Sequence, residues 1–180
     1  HYRTFYFDYD RLNDTSEYES LRELVENIYT NVYLDKQLPK WNARNNETLK
    51  TLPLQRNFYN SYVRSSKDKV VVIISDALRY EAGNALYQRF LEDANSTVKI
   101  DAMMSVLPTY TRLGMAALLP HKTLVITDDY KVLVDGTACD DLKQRESILQ
   151  SYVPNSVCVQ FDEIKTMKQT QLREVFTGKE

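Results

Sequence analysis

The sequence predicts an α/β domain whose parallel strands are covered by helices, with a helical neck in front of it. Three observations carry this. Val70 to Ile74 is an unbroken β-branched run, the pattern of a strand buried on both faces. Val98 to Ala102 reads as a second strand, and the helical pattern between the two makes a parallel βαβ unit, whose crossover is almost always right-handed. Residues 1–66 show helical periodicity broken by polar stretches, so they form the neck, and 67–180 form the α/β part.

Taken in order, residues 1–14 are rich in tyrosine and charge. They read as an extended lead-in, or as the end of a helix whose rings pack on the domain. A stacking surface for single-stranded nucleic acid is the sharper alternative, but few basic residues are interleaved. Ser16 to Glu19 fits a capping box. Leu21, Leu24, Val25, Ile28, Tyr29 and Val32 then recur at helical spacing, predicting an amphipathic helix to about Tyr33. Its apolar face should pack on the next helices, or on an upstream domain. Leu38-Pro39-Lys40-Trp41 breaks the pattern, and Asn42 to Lys50 reads as a polar loop. Leu54 to Val63 reads as a short helix, and Ser65 to Asp68 as a turn into the first strand.

Ala77 to Glu92 carries Leu78, Ala82, Ala85, Leu86, Arg89 and Phe90, a core-facing helical pattern in which Glu81 is a solvated acid or a group that reaches the site. Leu113 to Leu119 is a further helix, with Gly114 marking a close approach. Thr123 to Thr127 and Lys131 to Asp135 flank Asp128-Asp129-Tyr130 as a hairpin, which Asp135-Gly136 closes in a turn. Asp140 to Tyr152 is helical with Leu142, Ile148 and Leu149 inward. Val157 to Phe161 reads as a strand, and a last helix runs from Asp162 or Glu163 toward Phe176. Asp128, Asp129, Asp135, Asp140, Asp141 and Asp162 read as turn and cap residues.

Two places can carry chemistry. Asp76 lies just past the first strand, where open α/β sheets bind ligands, and an acid there can hold a metal or a substrate. The plainer reading is that it caps a helix starting at Ala77. Thr109 and Thr111 lie at the start of the helical segment after Pro108, where free N–H groups and the helix dipole favour a phosphate. Either hydroxyl is a candidate nucleophile, or both threonines only cap the helix.

VVVIISDALRYEAGNAL and LPTYTRLGMAALLPH resemble the PglZ domain of bacterial BREX phage-defence systems, a member of the alkaline phosphatase superfamily. The resemblance extends through LRELVENIYTNVYLDKQLPKW and FYNSYV upstream and LVDG and QRESILQ downstream. It implies a doubly wound, mostly parallel α/β sheet of alkaline phosphatase-like type and two divalent metal ions, usually zinc. It also implies an Asp ligand after the first strand, matching Asp76, and a Thr or Ser nucleophile at a helix start that also binds metal. The Pro-x-x-Thr pattern assigns the latter to Thr111, with Thr109 as the alternative. Such metals would lower the pKa of the hydroxyl and bind the phosphoryl oxygens, and a phosphothreonine would form and be hydrolysed. Arg112 and Arg79 are candidate phosphate contacts.

The chain departs from the superfamily pattern in its ligands. Sites of this kind need further Asp and His residues, including an Asp-His pair. Here there are two histidines, His1 and His121, and no such pair. His121, about ten residues beyond Thr111, is about 15 Å away along a helix, too far to share its metal. The expectation is therefore the N-terminal part of a PglZ domain cut from a longer protein. On this reading the chain alone binds zinc weakly or not at all and has no phosphatase activity. The intact protein would be a phosphatase, phosphodiesterase or nuclease working with other BREX components, with nucleic acid as a possible substrate. The alternative is a scaffold that keeps the fold without catalysis.

Composition sets wider limits. The chain has 180 residues, 43% hydrophobic and 27% charged, with a net charge of -2, so nothing global draws it to nucleic acid or acidic membranes. No apolar run approaches the length of a membrane span, and no membrane partner is expected. Cys139 and Cys158 read as free thiols of a reducing cytoplasm, too far apart in sequence for a metal pair. No glycine-rich phosphate loop follows either strand, which disfavours a nucleotide-binding domain.

Overall fold

The structure is a computed structural model and describes residues 1–43 and 51–179. Its contacts divide the chain into two interleaved units, His1–Thr51 with Ala77–Asp101 and Leu52–Asp76 with Ala102–Glu180. This is a different partition from a neck at 1–66 followed by a core at 67–180. Most of the expected loop at Asn42 to Lys50 lies outside the described residues.

The first unit is helical. Its first helix, α1 (Tyr2–Tyr9), turns the aromatic N-terminus into a row of rings that stack. Tyr2 lies 3.7 Å from Tyr29 between ring centroids, and Phe5 and Tyr9 stack at 5.7 Å. A short 3-10 turn at Ser16–Tyr18 leads into α2 (Glu19–Asn27), a π-helical segment Ile28–Leu34, and α3 (Asp35–Asn42). The expected capping box does not form. Asp14 Oδ1 accepts from the Ser16 N–H at 2.9 Å, while Glu19 accepts from Arg22 and from the Tyr9 hydroxyl. Nor does the helix stop at Leu38-Pro39, since α3 runs through Pro39. The ring removes an N–H and crowds the carbonyl four residues back.

The apolar stripe of this helix is the second departure. Val25 and Tyr29 are half-buried, but Leu21, Leu24, Ile28 and Val32 are each about half exposed, so among the described residues the expected packing on neighbouring helices is made only in part. α4 (Tyr80–Leu91) completes the unit. It begins three residues later than the pattern suggested, with Arg79 in the N-cap position, and Glu81 in its first turn is buried rather than solvated.

The hydrophobic core of the described residues lies in the second unit. After a 3-10 turn at Gln55–Asn57 and a π turn at Tyr59–Val63, the chain runs without regular structure through Val70–Ile74. A cis Leu107–Pro108 bond precedes α5 (Thr111–Ala117). Then come β1 (Leu124–Ile126), β2 (Val132–Val134) and β3 (Thr137–Ala138). They form one antiparallel sheet in the order β1-β2-β3, with Leu124 opposite Val134 and Leu133 opposite Ala138. Leu113, Ala116 and Ala117 of α5 pack with Val106, Val132, Val134, Cys139 and Ile148. Ile148 belongs to α6 (Leu142–Tyr152), whose capping box pairs Asp141 with Gln144. Two short helices, α7 (Phe161–Ile164) and α8 (Gln169–Phe176), stand where one was expected.

The doubly wound, mostly parallel sheet is not what these residues form. Val70–Ile74, Val98–Ala102 and Val157–Gln160 take up no regular structure and enter no ladder, and among the described residues the one parallel pairing is an isolated bridge between Leu54 and Met104. A β-branched run becomes a strand only when neighbours pair its backbone and cover its faces. Among the described residues no strand pairs with this one, and Val71 and Ile73 are 73% and 86% exposed.

Candidate functional site

Asp76 ends the irregular run Val70–Ser75. Ala77 follows with φ 58°, and the next helix does not begin until Tyr80, so Asp76 is not a helix cap. Thr109 and Thr111 flank Tyr110, the N-cap residue of α5. No side chain caps that helix, which disposes of the capping alternative for both threonines. All three candidates are exposed, and all three line one open cleft of about 250 Å³. Ser75 and Ser105 add hydroxyls to it, and Ile74, Val106, Met115 and Leu118 add apolar wall.

The residue that ties the cleft together is one the sequence reading missed. The Gln55 side chain donates from Nε2 to the Gly114 carbonyl at 3.1 Å and accepts at Oε1 from the Val106 N–H at 3.1 Å. Its own N–H donates to Met104 O at 2.9 Å, and the Met104 N–H donates to Pro53 O at 2.8 Å. The approach is close, since a Cβ at Gly114 would lie in van der Waals contact, 3.4 Å from Gln55 Nε2. Sequence spacing had flagged the glycine as a close approach; a lone glutamine carries no comparable signal.

The two arginines are engaged elsewhere. Arg112 is exposed, and its Nη1 lies 3.3 Å from Asp140 Oδ1. Arg79 belongs to the first unit, where its Nη1 is 3.9 Å from Asp10 and 4.0 Å from the buried Glu81. His121 donates from Nδ1 to the Leu119 carbonyl at 2.7 Å and does not line the cleft. Among the described residues, no three His, Cys, Asp or Glu side chains come together in a way that could hold a metal ion. Both cysteines are free, and burial pushes both thiols up, which makes them poor nucleophiles. Arg145 lies near both, so their separation in sequence was no guide to their separation in space.

The family model of the BREX system PglZ alkaline phosphatase-like domain matches residues 54–180, a span that holds Gln55, Asp76, Thr109 and Thr111. The chain belongs to the PglZ family. It is 37% identical over 187 aligned residues to the alkaline phosphatase-like protein PglZ of Bacillus cereus (strain H3081.97), an alignment covering 99% of this chain and 22% of that protein. It is 35% identical over 148 residues to the alkaline phosphatase-like protein BrxZ of Escherichia coli O9:H4 (strain HS), covering 74% of this chain and 17% of that protein. This PglZ chain therefore spans about a fifth of the length of either relative. The helices ahead of residue 54 lie outside the family model but inside the alignment with the Bacillus protein. No solved structure gives a significant match. Among the described residues, no helix is long and apolar enough to cross a membrane.

Proposed function

We propose that the protein containing this PglZ domain hydrolyses phosphoesters in a BREX defence system, through Thr111 as nucleophile. The observation that carries the reading is the convergence of Asp76 and the two threonines, distant in sequence, on one open cleft inside the region that matches the family. Thr111 Oγ attacks phosphorus, the P–O bond to the leaving alcohol breaks, and the threonine proton ends on that alcohol. Water then attacks the phosphothreonine, restoring the threonine hydroxyl and releasing the phosphate. Ser75, Ser105 and Thr109 are hydroxyl donors placed to orient the phosphoryl oxygens.

The described residues of this chain do not by themselves fit a two-metal centre. Among the described residues Asp76 is the single carboxylate on the cleft, and no imidazole or thiol joins it. In the full-length protein Asp76 remains the residue suited to a divalent cation such as zinc, with further ligands supplied from outside this chain. Arg112 can contribute to phosphate binding only after leaving Asp140, a half-exposed pair worth at most about 1 kcal/mol.

The test is hydrolysis of a generic phosphomonoester and phosphodiester by the full-length protein, with and without added zinc, beside Asp76→Ala, Thr111→Ala and Thr109→Ala. Thr111 is exposed and caps nothing, so its replacement should change stability by no more than about 0.5 kcal/mol. A loss of turnover of about a thousandfold, near 4 kcal/mol of transition-state stabilisation, would then report chemistry and not unfolding. A folded wild type inactive on both esters with any divalent ion would sink the reading. It would favour a scaffold role that keeps the fold without catalysis.

A further inference from the structure

We infer that Gln55 is a positioning residue of the cleft, a side-chain clamp that fixes the threonine-bearing helix against the loop in front of it; the inference rests on the hydrolase reading above. Three segments meet at one half-buried amide. Its oxygen takes the Val106 N–H, its nitrogen gives to the Gly114 carbonyl in the middle of α5, and its backbone is bridged to Met104. Between the two side-chain contacts lies the stretch 107–113, which carries both Thr109 and Thr111. Each hydrogen bond uses a different end of the amide, so the side chain cannot serve one contact without presenting the other end to its partner. Gln55 is thus set to hold Val106 and Gly114 at a fixed separation, and with them the register of the threonines over the cleft. Reactive geometry is sensitive to such support, because a displacement of about 1 Å can cost about a hundredfold in rate.

The role predicts a particular kinetic pattern. A nucleophile held loosely reduces kcat, while ester binding is spread over several hydroxyls of the cleft, Ser75 among them outside the clamped stretch, so KM moves much less than kcat. Gln55→Met fills the same space without either hydrogen bond, and Gln55→Glu keeps the acceptor for Val106 but sets a carboxylate oxygen against the Gly114 carbonyl. The experiment is steady-state hydrolysis of the same generic esters by the full-length protein, together with hydrogen-exchange mass spectrometry of peptides covering 104–107 and 113–118. In Gln55→Met, kcat should fall about ten- to a hundredfold with KM within about twofold, and exchange should quicken in both peptides. In Gln55→Glu, protection should persist in 104–107 and fall in 113–118, with an intermediate kcat. Unchanged exchange in 104–107 for Gln55→Met would overturn the clamp. Quickened exchange with an unchanged kcat would overturn its part in the reaction. Wild-type protein that turns over neither ester would overturn the hydrolase reading and the positioning role that rests on it, while the exchange data would still decide whether the clamp exists.

Discussion

Asp135 should be the most costly single carboxylate to remove from the second unit. It sits at φ 49° in the turn between β2 and β3, where its Oδ1 accepts from the Lys122 N–H at 2.9 Å, the Thr123 N–H at 2.7 Å and the Thr123 hydroxyl at 3.2 Å. Its Oδ2 accepts from the Tyr152 hydroxyl at 3.0 Å, at the end of α6. One side chain thus joins the entry to β1, the turn after β2 and the last turn of α6. Hydrogen bonds to a charged group are worth about 1.5–3 kcal/mol each when shielded, and much less where water competes, as it does at this exposed position. Taking about 0.5 kcal/mol for each of the four, and about 1 kcal/mol for placing alanine in a left-handed conformation, Asp135→Ala should cost about 3 kcal/mol. Asp135→Asn keeps an acceptor oxygen and tolerates that conformation, so it should cost about 1 kcal/mol. Burial pushes the Asp135 carboxyl up, but the Thr123 and Lys122 N–H groups and the Tyr152 and Thr123 hydroxyls outweigh it, and the net pKa is lowered. A folded-state pKa below the unfolded value of about 3.9 stabilises the fold above that value, and the contribution fades as pH falls through the folded pKa. Urea unfolding of the chain at pH 7 and again near pH 3 measures both effects. The Asn variant should lose less stability than wild type over that interval. If Asp135→Ala unfolds within about 0.5 kcal/mol of wild type, or if Asn costs as much as Ala, the network is not what holds this corner.

Two further outcomes follow from burial. Leu113→Ala empties a side chain only 4% exposed beneath the cleft helix and should cost about 2–5 kcal/mol, read as a fall of roughly 5–15 °C in Tm. A Tm within a degree of wild type would mean that α5 does not depend on that contact. Cys139 is fully buried and Cys158 half-buried, with both thiols pushed up by burial, so alkylation at pH 8 should be slow in the folded chain, slowest at Cys139, and rapid in urea. Reaction of both at the rate of a free thiol would contradict this packing.

The parts of the fold that could be read from sequence are those whose signals are local. Thr123–Asp135 alternates around Asp128-Asp129-Tyr130, and it is a hairpin in the expected place, with Thr127 and Lys131 closing the turn. Asp141 caps α6 as an aspartate before an apolar-periodic run should. What failed depends on partners far away in the chain. Val70–Ile74 and Val98–Ala102 have the composition of buried strands, but strand identity requires a ladder, and among the described residues none receives them. The Leu21–Val32 stripe announced a helix correctly, yet periodicity says only which face is apolar and not what covers it. At the site, Asp76, Thr109 and Thr111 were visible as residue types at the ends of recognisable segments. Gln55 was not, because a glutamine between Leu54 and Arg56 becomes informative only when its two hydrogen-bond partners are known.

The choice between the two threonines turns on how firmly each is held. Thr111 is the first residue of α5, where the Gly114 N–H donates to Tyr110 O at 2.9 Å, Leu113 is buried two residues on, and Gln55 grips the Gly114 carbonyl. Thr109 lies two residues earlier, next to Pro108, and its neighbourhood is tied by the Tyr110 N–H donating to Pro108 O at 2.8 Å, outside any regular element. A nucleophile has to meet phosphorus along a line set to within fractions of an ångström, and the residue on the better-braced backbone meets that requirement at less entropic cost. Thr111→Ala should therefore remove turnover in the full-length protein, while Thr109→Ala, which takes away one of several hydroxyls on the cleft, should lower kcat no more than about tenfold. The reverse ranking, with both variants folded, would move the nucleophile to the loop, still within the stretch that Gln55 brackets between Val106 and Gly114.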